Sequence, residues 1–237
     1  MVDALILTGT GRYADPWHPY AETSPLLAEL VRAAGFSPQI ETDIDAALRG
    51  LDAGVRLLVV NAGDPDGPDA GDPTDAQAPT SAREQPEASL GAGDLALAAA
   101  LDRGIGLLAV HSAAASLRDY PSYEHALGGR WVRGTSWHPD FGEARVRLDP
   151  RHPLATGTPD FTVEDERYTD LRVHGGIDRL AFHEHDGEQH PLVWTRVVGR
   201  SRVVYDALGH DARSYASPGH REVLARTLQW LGEVRRR

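Results

Sequence analysis

The chain contains no cysteine and no lysine in its 237 residues. Without cysteine there are no disulfides, no thiolate metal ligands and no thiol nucleophile. Without lysine, all 24 basic residues being arginine, a protein Schiff base and a P-loop lysine are both excluded. No apolar run is long enough to span a membrane, and the strand-like opening Ala4-Leu5-Ile6-Leu7 shows no signal-peptide pattern. Positive charge is scarce, and a net charge of -11 argues against nucleic acid or an anionic membrane as partner. The basic run Arg235-Arg236-Arg237 reads as a solvated tail. A soluble, cytoplasmic protein acting on a small molecule is expected, with residues 1–237 as one large α/β domain and homo-oligomerisation compatible with it.

What is present is organised around Ile105-Gly106-Leu107-Leu108-Ala109-Val110-His111-Ser112. Apolar and small residues run without alternation, the pattern of a strand buried on both faces of a parallel sheet. An Ala-rich, helix-compatible run follows at once, so His111 and Ser112 are expected at a sharp turn on the carboxyl edge of the sheet. Open α/β sheets bind ligands at that edge. The competing reading is a structural connection whose histidine only satisfies backbone groups.

In chain order, Ala4 to Thr8 reads as a first strand, followed by a turn with Gly9 and Gly11. A dinucleotide fingerprint would need a third glycine. Trp17 and His18 follow in a loop. Ser24 is expected to cap a helix with Pro25 at its first position and Leu26, Leu27, Leu30 and Val31 on its apolar face. Pro38 to Glu41 and Leu57 to Val60 read as strands. Residues 62–93 hold five Pro, five Gly and five Asp, too little apolar surface to offset ordering entropy, and read as a flexible insertion. Its carboxylates lack the register of a calcium loop. Asp94 is expected to cap a helix through Arg103. Tyr123 to Gly129 reads as a short helix closed by glycine, and Trp131 to Asp140 as a loop containing His138. Alternating segments at Ala144–Leu148, Arg179–His185, Leu192–Val197 and Arg202–Ala207 predict an antiparallel extension of the sheet. Ser217 and Pro218 open a final helix with a stripe of Leu224, Leu228 and Leu231.

The elbow around His111, Gly128-Gly129, His138 and Asp165-Glu166-Arg167-Tyr168 together resemble the ThuA-like (trehalose utilisation) family. So do Pro191-x-x-Trp194 and the block from Gly199 to Asp211, with Tyr215 and Pro218 beyond. Leu208-Gly209-His210-Asp211 is the most specific part, and the insertion at 62–93 is the chief departure. The resemblance implies a flavodoxin-like fold akin to class I glutamine amidotransferases: a mainly parallel central sheet flanked by helices. In those enzymes a cysteine occupies the elbow. Here His111 stands at that place, so glutamine hydrolysis through a thioester is not available. The resemblance also implies disaccharide catabolism, on trehalose or its oxidised derivatives.

The side chains bound the chemistry. A histidine oriented by a carboxylate is an acid or base near neutral pH. His111, Glu166, His210 and Asp211 are therefore the candidate catalytic residues of a sugar isomerase, lyase or hydrolase. Trp17, His18, Ser112, His138 and Tyr215 are candidates for substrate binding, and Trp137 for stacking on a sugar. A second reading is a metal-dependent enzyme in which His111, His138 and His210, with a carboxylate, hold a divalent ion such as zinc. None of these three histidines lies in a His-x-His or His-Glu-x-x-His spacing. A third is a non-catalytic carbohydrate-binding or regulatory protein. A serine hydrolase built on Ser112 is weaker, because the two elbow glycines are missing.

Overall fold

The computed structural model describes residues 1–63 and 87–233. The first half runs β1 (Ala4–Thr8), α1 (Tyr20–Ala33), β2 (Pro38–Glu41), α2 (Ile44–Arg49), β3 (Leu57–Asn61), α3 (Glu87–Arg103), β4 (Gly106–Val110) and α4 (Pro121–Leu127). The second runs β5 (Gly129–Arg130), β6 (Gly142–Leu148), β7 (Phe161–Asp165), β8 (Arg172–Val173), β9 (Asp178–His185), β10 (Glu188–Val198), β11 (Ser201–Asp206) and α5 (Pro218–Gly232).

Among the described residues, nine strands form one sheet in the order β2-β1-β3-β4-β11-β10-β9-β6-β7, while β5 and β8 pair separately. Every residue of β3 and β4 is buried, as continuous apolar strands between helical layers require. From β2 to β11 all pairings are parallel. From β11 to β7 all are antiparallel. The expectation of a mainly parallel sheet is thus corrected to an even division. Tight hairpins account for much of the antiparallel half. Asp186-Gly187, both at positive φ, joins β9 to β10, and Gly199-Arg200 joins β10 to β11.

Four antiparallel steps restore the original strand direction. The carboxyl end of β7 therefore points the same way as those of β1, β3, β4 and β11. The β6–β7 pair joins β9 through only two register pairs, and it folds back far enough for Asp165 to reach the loop after β11. Five strand ends are thereby gathered around one place.

Several local expectations change. Helix α1 begins at Tyr20, before Pro25, and the Ser24 hydroxyl donates to Thr8 Oγ1 (2.7 Å) instead of capping. Pro25 removes one helical hydrogen bond, but burial of Leu27, Leu30 and Val31 holds the helix. Helix α3 begins at Glu87, seven residues before Asp94, whose carboxylate accepts from Ser122 N (2.9 Å) and Oγ (3.1 Å) and so ties α3 to α4. Ala62 and Gly63 are buried beside β3 and 87–93 are helical, so the insertion read at 62–93 is shorter at both ends. Its remainder, 64–86, lies outside the described residues. After His111 the chain makes one 3₁₀ turn, not a helix, and Leu117 (φ 52°) turns it towards α4. Short α2, capped by Asp43 through Ala46 N, and edge strand β7 were not read from the sequence. No helix among the described residues is long and apolar enough to cross a membrane.

Away from the strand ends, buried His183 on β9 donates through Nε2 towards Tyr168 O (3.2 Å). Burial is the chief cause that pushes its pKa from 6.5 down to about 4, partly opposed by that carbonyl. The unfolded chain therefore binds this proton first as pH falls. Stability from this group is complete above pH 6.5 and is lost between 6.5 and about 4. His183→Gln keeps an N–H donor without the titration, and its melting temperature is expected to fall less steeply than the wild type's across that window.

Candidate functional site

Each side chain of the site is delivered by a strand end. His18 lies in the loop after β1, where Asp15 closes a turn by accepting from the backbone N of Trp17 and of His18 (both 3.0 Å). The same carboxylate oxygen meets His18 Nδ1 at 2.7 Å, and its other oxygen accepts from Tyr20 Oη at 2.7 Å. His111 follows β4 in a left-handed conformation (φ 50°), a strain of order 1–3 kcal/mol for a non-glycine residue. Two bonds from the β11 side hold it there. His111 Nδ1 donates to Ala207 O (2.7 Å), and Tyr205 Oη donates to His111 O (2.8 Å).

His210 is placed by a buried carboxylate behind it. Asp165, fully buried at the end of β7, accepts from Gly209 N (2.7 Å) and His210 N (3.2 Å), and from Glu166 N (2.8 Å). One side chain thus fixes both Glu166 and His210. Gly209 is required at its position: φ is 116°, and a Cβ there would lie 2.7 Å from Tyr215 Oη. Asp206 steadies the same loop through Leu208 N (3.0 Å) and pairs with His220 Nε2 (3.0 Å), which meets Ser214 Oγ through Nδ1 (2.9 Å). This Ser-His-Asp array is sealed in the core and braces the loop.

Glu166 Oε2 is the hub. It lies 3.2 Å from His210 Nδ1, 3.3 Å from His111 Nε2 and 3.6 Å from His138 Nε2. The rings of His18 and His111, and of His18 and His210, have centroids 4.9 Å apart. Among the described residues, His18 Nε2, His111 Nε2 and His210 Nδ1 are buried and in line with no hydrogen-bond partner. Burial would raise the Glu166 pKa, but His111 and His210 outweigh it and hold the carboxyl well below its ordinary value. Burial likewise opposes the charged form of His210, and Glu166 reverses this to give a raised pKa. His18 is depressed by burial, against the pull of Asp15, and Asp15 is held low chiefly by His18 against its own burial. The site therefore pairs anionic carboxylates with imidazoles of different basicity.

These residues open onto a cavity of about 610 Å³, walled by Trp131 and Tyr168 and also lined by Gly63, Ser112, Arg118 and Arg133. Trp17 stands at its rim, 65 % exposed. Of the residues singled out in the sequence, His18, His111, His138, Glu166, His210, Ser112 and Trp17 meet here. Ser112 Oγ lies by Tyr20 Oη (2.9 Å) and Ala62 O (3.3 Å), not by a histidine, so it lacks the base of a serine hydrolase. The structure places three others outside the lining. Asp211 pairs with Arg213 (2.5 Å), Tyr215 is buried beneath Gly209, and Trp137 donates to Asp170 Oδ2 (2.8 Å) and packs on His185. Asp15 and Asp165 were missed as site residues. Asp15-Pro16-Trp17-His18 does carry the signature of an Asx-type turn.

Fold and site together define an α/β protein with a histidine- and carboxylate-lined cavity at the carboxyl edge of its strands. The ThuA family model, described as trehalose utilisation, matches residues 4–231, and the chain belongs to that family. A ThuA-like protein from Parabacteroides merdae is similar in fold, with TM-score 0.73 and 18% identity over 98% of this chain and 90% of that one. Another, from Bacteroides uniformis, gives 0.70 and 16% over 97% and 91%. A β-galactosidase from Rahnella sp. R3 gives 0.59 and 12% over all of this chain but 32% of its own. No curated protein matches the chain.

Proposed function

We propose that this chain is a carbohydrate-modifying enzyme of trehalose or related disaccharide catabolism. The observation that carries the reading is the convergence of His18, His111, His210 and Glu166, with His138 beside them, on one cavity. A volume of about 610 Å³ falls within the range of sites that enclose small organic ligands, roughly 300–1,000 Å³. Trp17 offers a flat apolar face at the mouth, the kind of surface on which the C–H face of a sugar ring packs, while carboxylates inside accept hydroxyl hydrogen bonds.

The chemistry is proton transfer at a sugar hydroxyl, or at a carbon beside a keto group. Glu166 with His210 supplies a paired acid and base, and His138, 35 % exposed in its side chain, has solvent access to exchange a proton. We read the fold as the flavodoxin-like, class I glutamine amidotransferase-like type, with the strained elbow retained and its thiol replaced by imidazole. The small-molecule partner is thus a neutral polyol, not glutamine.

The test is turnover of a panel of disaccharides and their keto derivatives by the full chain, followed by proton NMR. Consumption of at least one member is expected. Trp17→Ala is expected to raise KM about tenfold with kcat nearly unchanged, since stacking at the rim binds ground and transition states alike. A panel without turnover, at protein concentrations that would reveal single events per hour, contradicts the reading.

A further inference from the structure

We propose that His18 Nε2, His111 Nε2, His210 Nδ1 and Glu166 Oε2 are the protein ligands of a divalent transition-metal ion, with zinc the natural probe. The inference deepens the reading of this cavity as the working site and rests on it. Ala207 O can only accept, so His111 Nδ1 is the donor in that 2.7 Å bond. In the neutral imidazole this leaves a lone pair on Nε2. Asp15 is an acceptor as a carboxylate, so His18 Nδ1 donates to it at 2.7 Å, and His18 Nε2 is likewise left with a lone pair.

Among the described residues both lone pairs are buried without a hydrogen-bond partner, as is His210 Nδ1. His111 as a residue is 1 % exposed. One ring nitrogen from each of these histidines and a carboxylate oxygen of Glu166 all lie within 4.8 Å of one another. Facing lone pairs and an anionic oxygen repel unless something positive lies between them. A cation satisfies all four atoms at once, and a single proton satisfies at most two.

The geometry agrees with this. Two edges of the ligand set, Glu166 Oε2 to His111 Nε2 and to His210 Nδ1, measure 3.3 and 3.2 Å. A tetrahedral ion with bonds near 2.0–2.1 Å has ligand–ligand edges of roughly 3.3 Å. The outer contacts match as well. Histidines that bind a metal commonly donate their other nitrogen to a carboxylate or a backbone carbonyl, which fixes tautomer and ring plane. Asp15 and Ala207 O occupy those two roles behind His18 and His111. Mixed imidazole and carboxylate donors suit zinc and its first-row neighbours over calcium or magnesium.

The set differs from the one considered in the sequence. His18 takes the place of His138, which stands beside it 3.6 Å from Glu166 Oε2, and Glu166 is the carboxylate. With the ion bound, Glu166 and His210 serve as ligands, and the proton transfer assigned above to that pair passes to His138, which stands free of the ion beside them.

The experiment uses the full chain without a polyhistidine tag, stripped with chelator and titrated calorimetrically with zinc chloride, with calcium chloride as the control. One equivalent of zinc per chain is expected at Kd below ~1 μM, with no calcium uptake. Asp15→Asn is expected to weaken zinc binding ~10–100-fold through His18 alone, and Glu166→Gln by at least as much. Zinc should raise the Tm of the wild type and not of Glu166→Gln, whose metal-free Tm reports whether it folds. In the cobalt-loaded wild type, visible absorption from nitrogen and oxygen ligands provides a readout independent of any variant. Absence of stoichiometric zinc binding by the wild type overturns the proposal, as does equal affinity in Glu166→Gln. The test separates this proposal from the proposed function. Zinc binding without sugar turnover overturns only the latter, and sugar turnover by a chain that takes up no zinc overturns only the former.

Discussion

Glu166→Gln is expected to lower kcat/KM for the sugar substrate by ~10²–10⁴-fold, the usual contribution of a positioned acid–base group, with little change in Tm. Glutamine fills the same volume, so the cavity keeps its shape. The negative charge that His111, His138 and His210 share is removed. Burial already works against protonated His210, and Glu166 is the chief group that opposes it, ahead of Asp165 and Asp211. Its pKa then falls, so the variant's residual rate should lose any limb of the pH profile that depends on protonated His210. A pH–rate profile of wild type and variant measures both effects together. A variant within threefold of wild type would remove Glu166 from the mechanism.

Trp194→Ala should be the most damaging single change to stability, at about 3–5 kcal/mol. Trp194 on β10 is fully buried, packs on Tyr205 with ring centroids 4.5 Å apart, and donates from Nε1 to Leu127 O (2.9 Å). Its truncation leaves a large cavity and also an unpaired carbonyl at the end of α4. The Gly128-Gly129 pair owes its composition to this neighbourhood. A Cβ on Gly129 would lie 2.7 Å from the indole, and Gly128, at φ 74°, sits against Arg196. Trp131, two residues on, walls the cavity, so an increase in KM should accompany the loss of stability. Urea unfolding with an unchanged m-value would separate lost stability from a changed unfolded state.

The parts legible in the sequence were those in which local pattern and position in the fold agree. The apolar run ending at Val110 had to be an interior parallel strand, and strand direction then put His18 and His111 on one edge. Glu166 and His210 entered through the family resemblance. Their meeting with His111 depends on the four antiparallel steps and on the fold-back of β6–β7, long-range pairings that no short window of sequence encodes. Asp211 was singled out beside His210, but Arg213, two residues away, takes its carboxylate. The buried Asp165, one residue before Glu166, does the positioning instead. Pro25 misled for a related reason: a proline read as a helix start was tolerated inside α1 because burial of one helix face outweighed one lost hydrogen bond.

The central claim is that the residues gathered around Glu166 form a working site for a sugar. Its most direct test is single-turnover NMR of the wild type and His111→Ala with trehalose and its keto derivatives, alongside thermal melts of both proteins. The account predicts conversion by the wild type and a loss of ~10²-fold or more in the variant. It further predicts that the variant stays folded but melts several degrees lower, since alanine keeps the Cβ that makes φ 50° costly and loses the hydrogen bond to Ala207. Undiminished conversion by a folded His111→Ala protein would contradict it.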